Sequence, residues 1–172
     1  VAIAVILHIL KTFKVLYMDK RTENAIETLH TKIRKLVTTG VNKSLEALSG
    51  RAAMIIVQAL RTFPEQDALY KKRPKVTNAK AGQSYHNYGL SFDFCLKIDD
   101  KEISWDTVKD FDGDKKSDWY EVIAIFEELG FKSGKSFNDL PHFEMSFGYS
   151  WRQLLAKYNA KDFIPGTVYL NL

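Results

Sequence analysis

Between Leu90 and Ile98 the chain keeps a strict two-residue rhythm, with Leu90, Phe92, Phe94, Leu96 and Ile98 alternating with Ser91, Asp93, Cys95 and Lys97. Successive side chains of a β-strand point to opposite faces, so this run predicts a half-buried strand whose even residues face a core. Asp93 then lies on the other face, beside Ser91 and Cys95. Such a strand needs partner strands and a covering layer, and the flanking sequence supplies both. Ala52–Leu60 (AAMIIVQAL) is a short apolar run that suits a buried strand, and Phe143–Phe147 reads as another. Residues 21–48 read as helical: Ile26, Leu29, Ile33, Leu36 and Val37 recur at three- and four-residue spacing, and Val41, Leu45 and Leu48 continue the pattern after Gly40. Thr62 to Glu65 forms a capping box that opens a short helix through Tyr70. Trp119–Leu129 is an amphipathic helix stopped by Gly130, and Ser150 to Gln153 opens a last one. Lys71–Gln83 is polar and holds Pro74 and Gly82, so it reads as a loop. The mixture predicts an α+β fold, a small antiparallel sheet flanked by helices.

At 172 residues the chain fits one domain with a sizeable core, and 45% apolar with 27% charged residues excludes wholesale disorder. Val1–Leu10 (VAIAVILHIL) stands apart, since it is almost wholly apolar and lysines follow it. It is shorter than the roughly 20 residues of a membrane-spanning helix, and it shows no cleavage site. Two readings stay open: residues 1–18 as the remnant of a membrane anchor or signal, or as a core element of the domain. The working division is 1–18 and 19–172, with membrane contact only through the first segment. Cys95 is the single cysteine, which rules out an internal disulfide and a cysteine-rich metal site. A net charge of +4 favours polyanions without choosing among them. No nucleic-acid recognition motif accompanies Lys71, Lys72 and Arg73, so nucleic acid is set aside as a partner. Monomer is the default expectation.

Four histidines make each one informative. His8 lies in the apolar segment and His30 in the first helical stretch, and neither has a second ligand at useful spacing. His86 sits in Ser84-Tyr-His86-Asn-Tyr-Gly89-Leu-Ser-Phe-Asp93, just before the alternating strand. His142 sits in Asp139-Leu-Pro-His142-Phe-Glu144, before another. Gly89 allows the backbone to turn between His86 and Asp93, and Pro141 stiffens the approach to His142. Three protein ligands and one open position are what a catalytic zinc needs. The competing reading is two polar turns that each lead into a strand.

Ser84-x-His86 with Asp93, followed by Asp139-x-x-His142, resembles the D-alanyl-D-alanine and L-alanyl-D-glutamate peptidase superfamily of cell-wall hydrolases and phage endolysins. The stretches RTFPEQDALY, VTNAKAGQSYHNYGLSFDF and PHFEM are similar to the endolysin-type L-alanyl-D-glutamate branch. The likeness runs from about Asp19 to Tyr158. It implies the α+β fold shared with the Hedgehog signalling domain, a zinc cofactor and a peptidoglycan substrate. It also implies roles: His86, Asp93 and His142 as zinc ligands, Asp139 as acid/base, and Arg61 as the donor that stabilises the substrate carbonyl. Ser84, Tyr88 and Glu144 are weaker candidates for substrate contact or ligand orientation, each with an ordinary alternative in a turn, in packing or on an exposed strand. Cys95, on the same strand face as Asp93, reads as a small buried residue rather than a fourth ligand.

The resemblance leaves function alternatives open. Hydrolysis of the L-Ala–D-Glu bond competes with D-Ala-D-Ala carboxypeptidase or dipeptidase activity, and both compete with a non-catalytic zinc-binding module. Action on the cell wall, periplasmic or extracellular, is implied for a phage-encoded or a membrane-anchored enzyme alike. A last feature is independent of these. Asp110, Asp112, Asp114, Asp118 and Glu121 occupy positions 1, 3, 5, 9 and 12 of a twelve-residue loop, the spacing of an EF-hand calcium site, but Lys115 replaces its glycine at position 6. The alternative has Asp118 capping the helix from Trp119 while the other acids are solvated.

Overall fold

The alternating run forms the strand on which the sheet is built. The computed structural model describes residues 17–48 and 51–172, so the apolar segment Val1–Leu10 lies outside the described residues. Along the chain, α1 (Lys20–Thr28) and α2 (Thr31–Ala47) precede β1 (Ala52–Gln58) and α3 (Phe63–Lys71). Then come β2 (Ser91–Ile98), β3 (Glu102–Ser104), α4 (Asp118–Glu128), β4 (Lys132–Ser133), β5 (His142–Glu144) and α5 (Trp151–Asn159). The sheet is antiparallel throughout, in the order β1-β2-β5-β4, with β3 also paired to β2. β1 runs along one edge of β2, while β5 pairs with Ser91–Asp93 and β3 with Leu96–Ile98. The fold is α+β, a small antiparallel sheet flanked by helices.

Four expectations change in detail. The first helical stretch is two helices, broken at Leu29–His30, because His30 leaves the helix to cap α2 and its Nδ1 accepts from the Lys32 amide at 3.2 Å. The His30 Nε2 reaches the Leu170 carbonyl at 2.8 Å, and burial lowers its pKa, so this histidine is a neutral structural group. The strand expected over Phe143–Phe147 ends at Glu144, and Phe147 turns into the left-handed region at φ 51°. β2 is covered on both faces rather than half-buried. Ser91 and Cys95 are as inaccessible as Phe92 and Phe94, and small side chains bury without leaving an apolar signal. Finally, Ser117 rather than Asp118 stands at the N-cap of α4, and Asp118 is the first residue of the helix.

α1 covers the outer edge of β1, where the Ile56 amide donates to Thr22 Oγ1 at 3.0 Å and Arg21 donates to the Val57 carbonyl at 2.9 Å. α2 and α4 cross over the core face of the sheet, where Phe92, Phe126, Phe131 and Phe143 form an aromatic cluster with ring centroids 4.8–5.6 Å apart. Gly40 makes that crossing tight, since a Cβ there would lie 2.5 Å from the Phe126 ring. The ring is pinned by its aromatic neighbours and has nowhere to retreat. We expect Gly40→Ala to destabilise the fold despite a gain of about 1 kcal/mol in helix propensity. Overpacking of a filled core costs about 1–3 kcal/mol. Chemical denaturation should show a lower midpoint at unchanged slope; a midpoint at or above the parent's would refute the tight crossing.

Candidate metal centre

The sheet brings two of the expected ligands face to face. Asp93 on β2 and His142 on β5 are directly opposed across an antiparallel pair, which puts their side chains on one face. The third arrives from the 3-10 turn Tyr85–Tyr88, which precedes β2. Ser84 caps that turn, accepting from the His86 amide at 3.3 Å, and Gly89 closes it at φ 66°. A side chain at Gly89 would meet the His30 amide nitrogen at 2.8 Å, so the turn sits hard against the α1–α2 junction.

His86 Nε2 lies 3.3 Å from Asp93 Oδ1, and His142 Nδ1 lies 3.0 Å from the same oxygen. Tetrahedral bonds of about 2.0–2.1 Å to one ion would separate donor atoms by roughly 3.3 Å, so the three donors fit a shared cation. The remaining imidazole nitrogens are occupied. His86 Nδ1–H donates to the Ala59 carbonyl at 2.7 Å, and His142 Nε2–H donates to Glu144 at 3.2 Å. Each bond orients its ring so that the inward nitrogen, once deprotonated, directs its lone pair at the common centre, the arrangement of metal-binding histidines.

Burial pushes the Asp93 carboxyl up, but hydrogen bonds from His142 and His86 outweigh it and hold the group well below the usual carboxylate range. For His142, burial works downward, and the bonds to Asp93 and Glu144 overcome it to raise the imidazolium to about 9. Ligation needs this ring neutral, so a metal ion taken up at neutral pH displaces a proton from it.

Asp139 and Arg61 flank the three ligands. Asp139 lies exposed at the rim, and partial desolvation followed by the negative Asp93 raises its carboxyl, with His142, His86 and Arg61 pulling the other way. Its segment is held by an unusual approach: the Asp139 amide donates to the Gly134 carbonyl at 3.0 Å, and a Cβ at Gly134 would lie 1.8 Å from the Asp139 carbonyl oxygen. The Arg61 guanidinium stands 3.9 Å from Asp93 Oδ2 and donates to Gln66 at 2.9 Å, while its buried Nε–H has no acceptor. Burial lowers the Arg61 pKa, and Asp93, Glu65 and Asp139 oppose that.

The weaker candidates separate. Glu144 is the acceptor for His142 just described, so it orients that ring. Ser84 serves the turn that presents His86. Tyr88 is buried in a small core with Leu90, Leu154 and Leu170, and its hydroxyl donates to the Gly82 carbonyl at 2.7 Å, so it supports the turn that presents His86. Tyr85 likewise spends its hydroxyl on the Tyr149 carbonyl. Cys95 lies in the main core, where burial raises its thiol to about 11. Sequence reading missed the Ala59 carbonyl, Gln66 and Gly134. It also missed Phe137, an aromatic ring 45% exposed and 5.7 Å from His142. A backbone carbonyl leaves no trace in residue type, though the glycine before Lys135 was visible.

A family model described as D-alanyl-D-alanine carboxypeptidase, of the M15 peptidases, matches residues 77–145, the stretch that holds His86, Asp93, Asp139 and His142. Peptidoglycan L-alanyl-D-glutamate endopeptidase CwlK of Bacillus subtilis (strain 168) is 45% identical over 118 residues, covering 61% of this chain and 71% of that protein. The crystal structure of Serratia marcescens L-Ala D-Glu endopeptidase ChiX matches in fold with a TM-score of 0.55 at 17% identity, over 77% of this chain and 92% of that one. On the strength of the Bacillus relative and the matching motif stretch, the chain belongs to the M15 family of peptidases.

Proposed function

We propose that the chain is a zinc-dependent peptidoglycan endopeptidase that hydrolyses the L-Ala–D-Glu bond of stem peptides, acting on the cell wall as a monomer. The observation that carries this reading is the convergence of His86 Nε2, Asp93 Oδ1 and His142 Nδ1 beside Asp139 and Arg61. Two imidazoles and one carboxylate are a donor set suited to zinc, whereas calcium and magnesium favour oxygen alone. The bond assignment is supported by the name of the Bacillus relative.

A zinc ion held by the three ligands supplies Lewis acidity toward a peptide carbonyl and toward water. The chain's own groups do the rest. Glu144 and the Ala59 carbonyl fix the two imidazoles in the tautomers that ligation requires. Asp139 takes the attacking water's proton on a carboxylate oxygen and returns it to the leaving amine, a step its raised pKa eases. Arg61, kept in place by Gln66, offers its Nε–H to the carbonyl oxygen as negative charge develops there. The description of the matching family favours a second reading, a carboxypeptidase that releases terminal D-Ala, with the same groups in the same roles.

Metal analysis of purified protein tests the centre. His86→Ala should lose zinc. Asp139→Ala should keep it and lose about 100- to 10,000-fold in turnover, the usual worth of general acid–base help. Arg61→Ala should keep zinc and lose about 100- to 1000-fold, as expected for one oxyanion donor. Full activity in Asp139→Ala would remove that residue from the mechanism. For the bond, digestion of purified muropeptides followed by mass spectrometry should leave L-Ala on the muramic acid and release a peptide with D-Glu as its new amino terminus. Free D-Ala with L-Ala–D-Glu intact would instead establish the carboxypeptidase reading.

A further inference from the structure

Two further groups of carboxylates meet in the loop that leads into α4: Asp110 with Asp112 and Asp118, and Asp112 with Asp114 and Glu121. Within each group the oxygens lie within 4.8 Å of one another. Local bonding accounts for part of the cluster. Asp110 accepts from the Gly113 and Lys115 amides at 2.5 and 2.8 Å, and Asp114 accepts from the Lys116 amide and ammonium at 2.8 Å each.

It does not account for the inner oxygens. Asp118 is completely buried. Its Oδ1 accepts from the Phe111 amide at 3.0 Å, but its Oδ2 has no donor. Asp112 Oδ2 and Glu121 Oε2 are also buried and without a donor. Lys116 stays 3.8 Å from the other oxygen of Glu121, with its side chain 68% exposed. Burial, then the charge of neighbouring acids, raises the carboxyls of Asp118 and Glu121. Buried carboxylate oxygens that receive no hydrogen bond are strongly unfavourable unless a proton or a cation neutralises them.

We propose that Asp110, Asp112, Asp114, Asp118 and Glu121 form a binding site for a divalent cation of the calcium class, separate from the centre at His86, Asp93 and His142. The chemistry is all oxygen, from a loop of irregular backbone. That suits the six to eight ligands calcium accepts better than the rigid octahedron and retained waters of magnesium. The lysine at position 6 is no obstacle, because Lys115 already takes the left-handed turn there at φ 75°. Asp118 and Glu121 belong to the first turn of α4, so the ion ties the loop to that helix. Trp119, between them, packs against Phe94, next to Asp93 in β2, with ring centroids 4.6 Å apart. The cation thus braces the helix behind the sheet and takes no part in hydrolysis.

The proposal is independent of the zinc assignment, and its test reads on the folded full chain whether or not zinc is bound. Calorimetric titration with calcium chloride should show one saturable site with a dissociation constant of about 1 mM or tighter. Terbium should occupy it and luminesce on excitation of Trp119, with calcium quenching the signal. Calcium should also raise the melting temperature, more than equal magnesium does. Asp112→Asn with Asp114→Asn should weaken calcium binding at least about tenfold, on the principle that affinity follows the count of charged ligands. Zinc content should not change. Asp118→Asn, near-isosteric, should melt at or above the parent in chelator and lose the calcium-induced rise. Absence of saturable calcium binding in the folded parent overturns the proposal, and so does binding that survives Asp112→Asn with Asp114→Asn intact in strength.

Discussion

A carboxylate held among side chains instead of water needs positive partners or hydrogen-bond donors, and at Asp93 these come from three separate parts of the chain. His142 faces it across the β2–β5 ladder, His86 reaches it from the turn before β2, and Arg61 approaches from the end of β1. Removing one partner of a buried ion pair typically costs about 3–5 kcal/mol, because the other charge is left unmatched. The cluster therefore fixes relative positions as strictly as the apolar core does. The turn at Ser84–Gly89, the bulge in β1 between Ile56 and Gln58, and the close crossing at Gly134 can each be understood as what lets those groups arrive together.

Around that cluster the molecule divides labour by distance from the ligands. The inward imidazole nitrogens and one carboxylate oxygen form the candidate donor set. The Ala59 carbonyl and Glu144 hold the rings, and Gln66 holds the arginine. Gln66 is itself completely buried and donates to the Ala79 carbonyl at 2.8 Å, so the guanidinium is anchored to the loop after α3. Behind the sheet, the Phe92–Phe126–Phe143 aromatic cluster backs the two strands that carry Asp93 and His142, so the ligands stand on a rigid floor.

How much of this was legible in the sequence depended on whether a residue's neighbours lie near it along the chain. The β2 alternation, the capping boxes at Thr62 and Ser150, and the Gly130 helix stop are local signals, and each element formed where expected. The break at His30 was hidden because histidine is not among the usual capping residues, and the carbonyl that holds its other ring nitrogen, Leu170, lies far along the chain. The burial of Ser91 and Cys95 was hidden because a small residue fits either a covered or an open face. At the site, residue types pointed to His86, Asp93 and His142, but the register that opposes Asp93 to His142 exists only in the sheet. Tyr88 shows the limit of residue type: a tyrosine beside a histidine suits ligand contact or packing alike, and only the fold shows its hydroxyl bonded to the Gly82 carbonyl.

The position of Asp93 and His142 as opposed residues on adjacent strands also bears on the order in which the protein matures. In small zinc-organised domains the metal gathers the chain, and without it there is no fold. Here the candidate ligands come from segments that the pairing of β2 and β5 brings together, with the aromatic cluster behind them. An unfolded or partly folded chain offers two distant imidazoles and a lone carboxylate, a poor trap for any ion. The proposed hydrolytic centre therefore exists only where β2 and β5 have paired, and a chain without that pairing has no such centre.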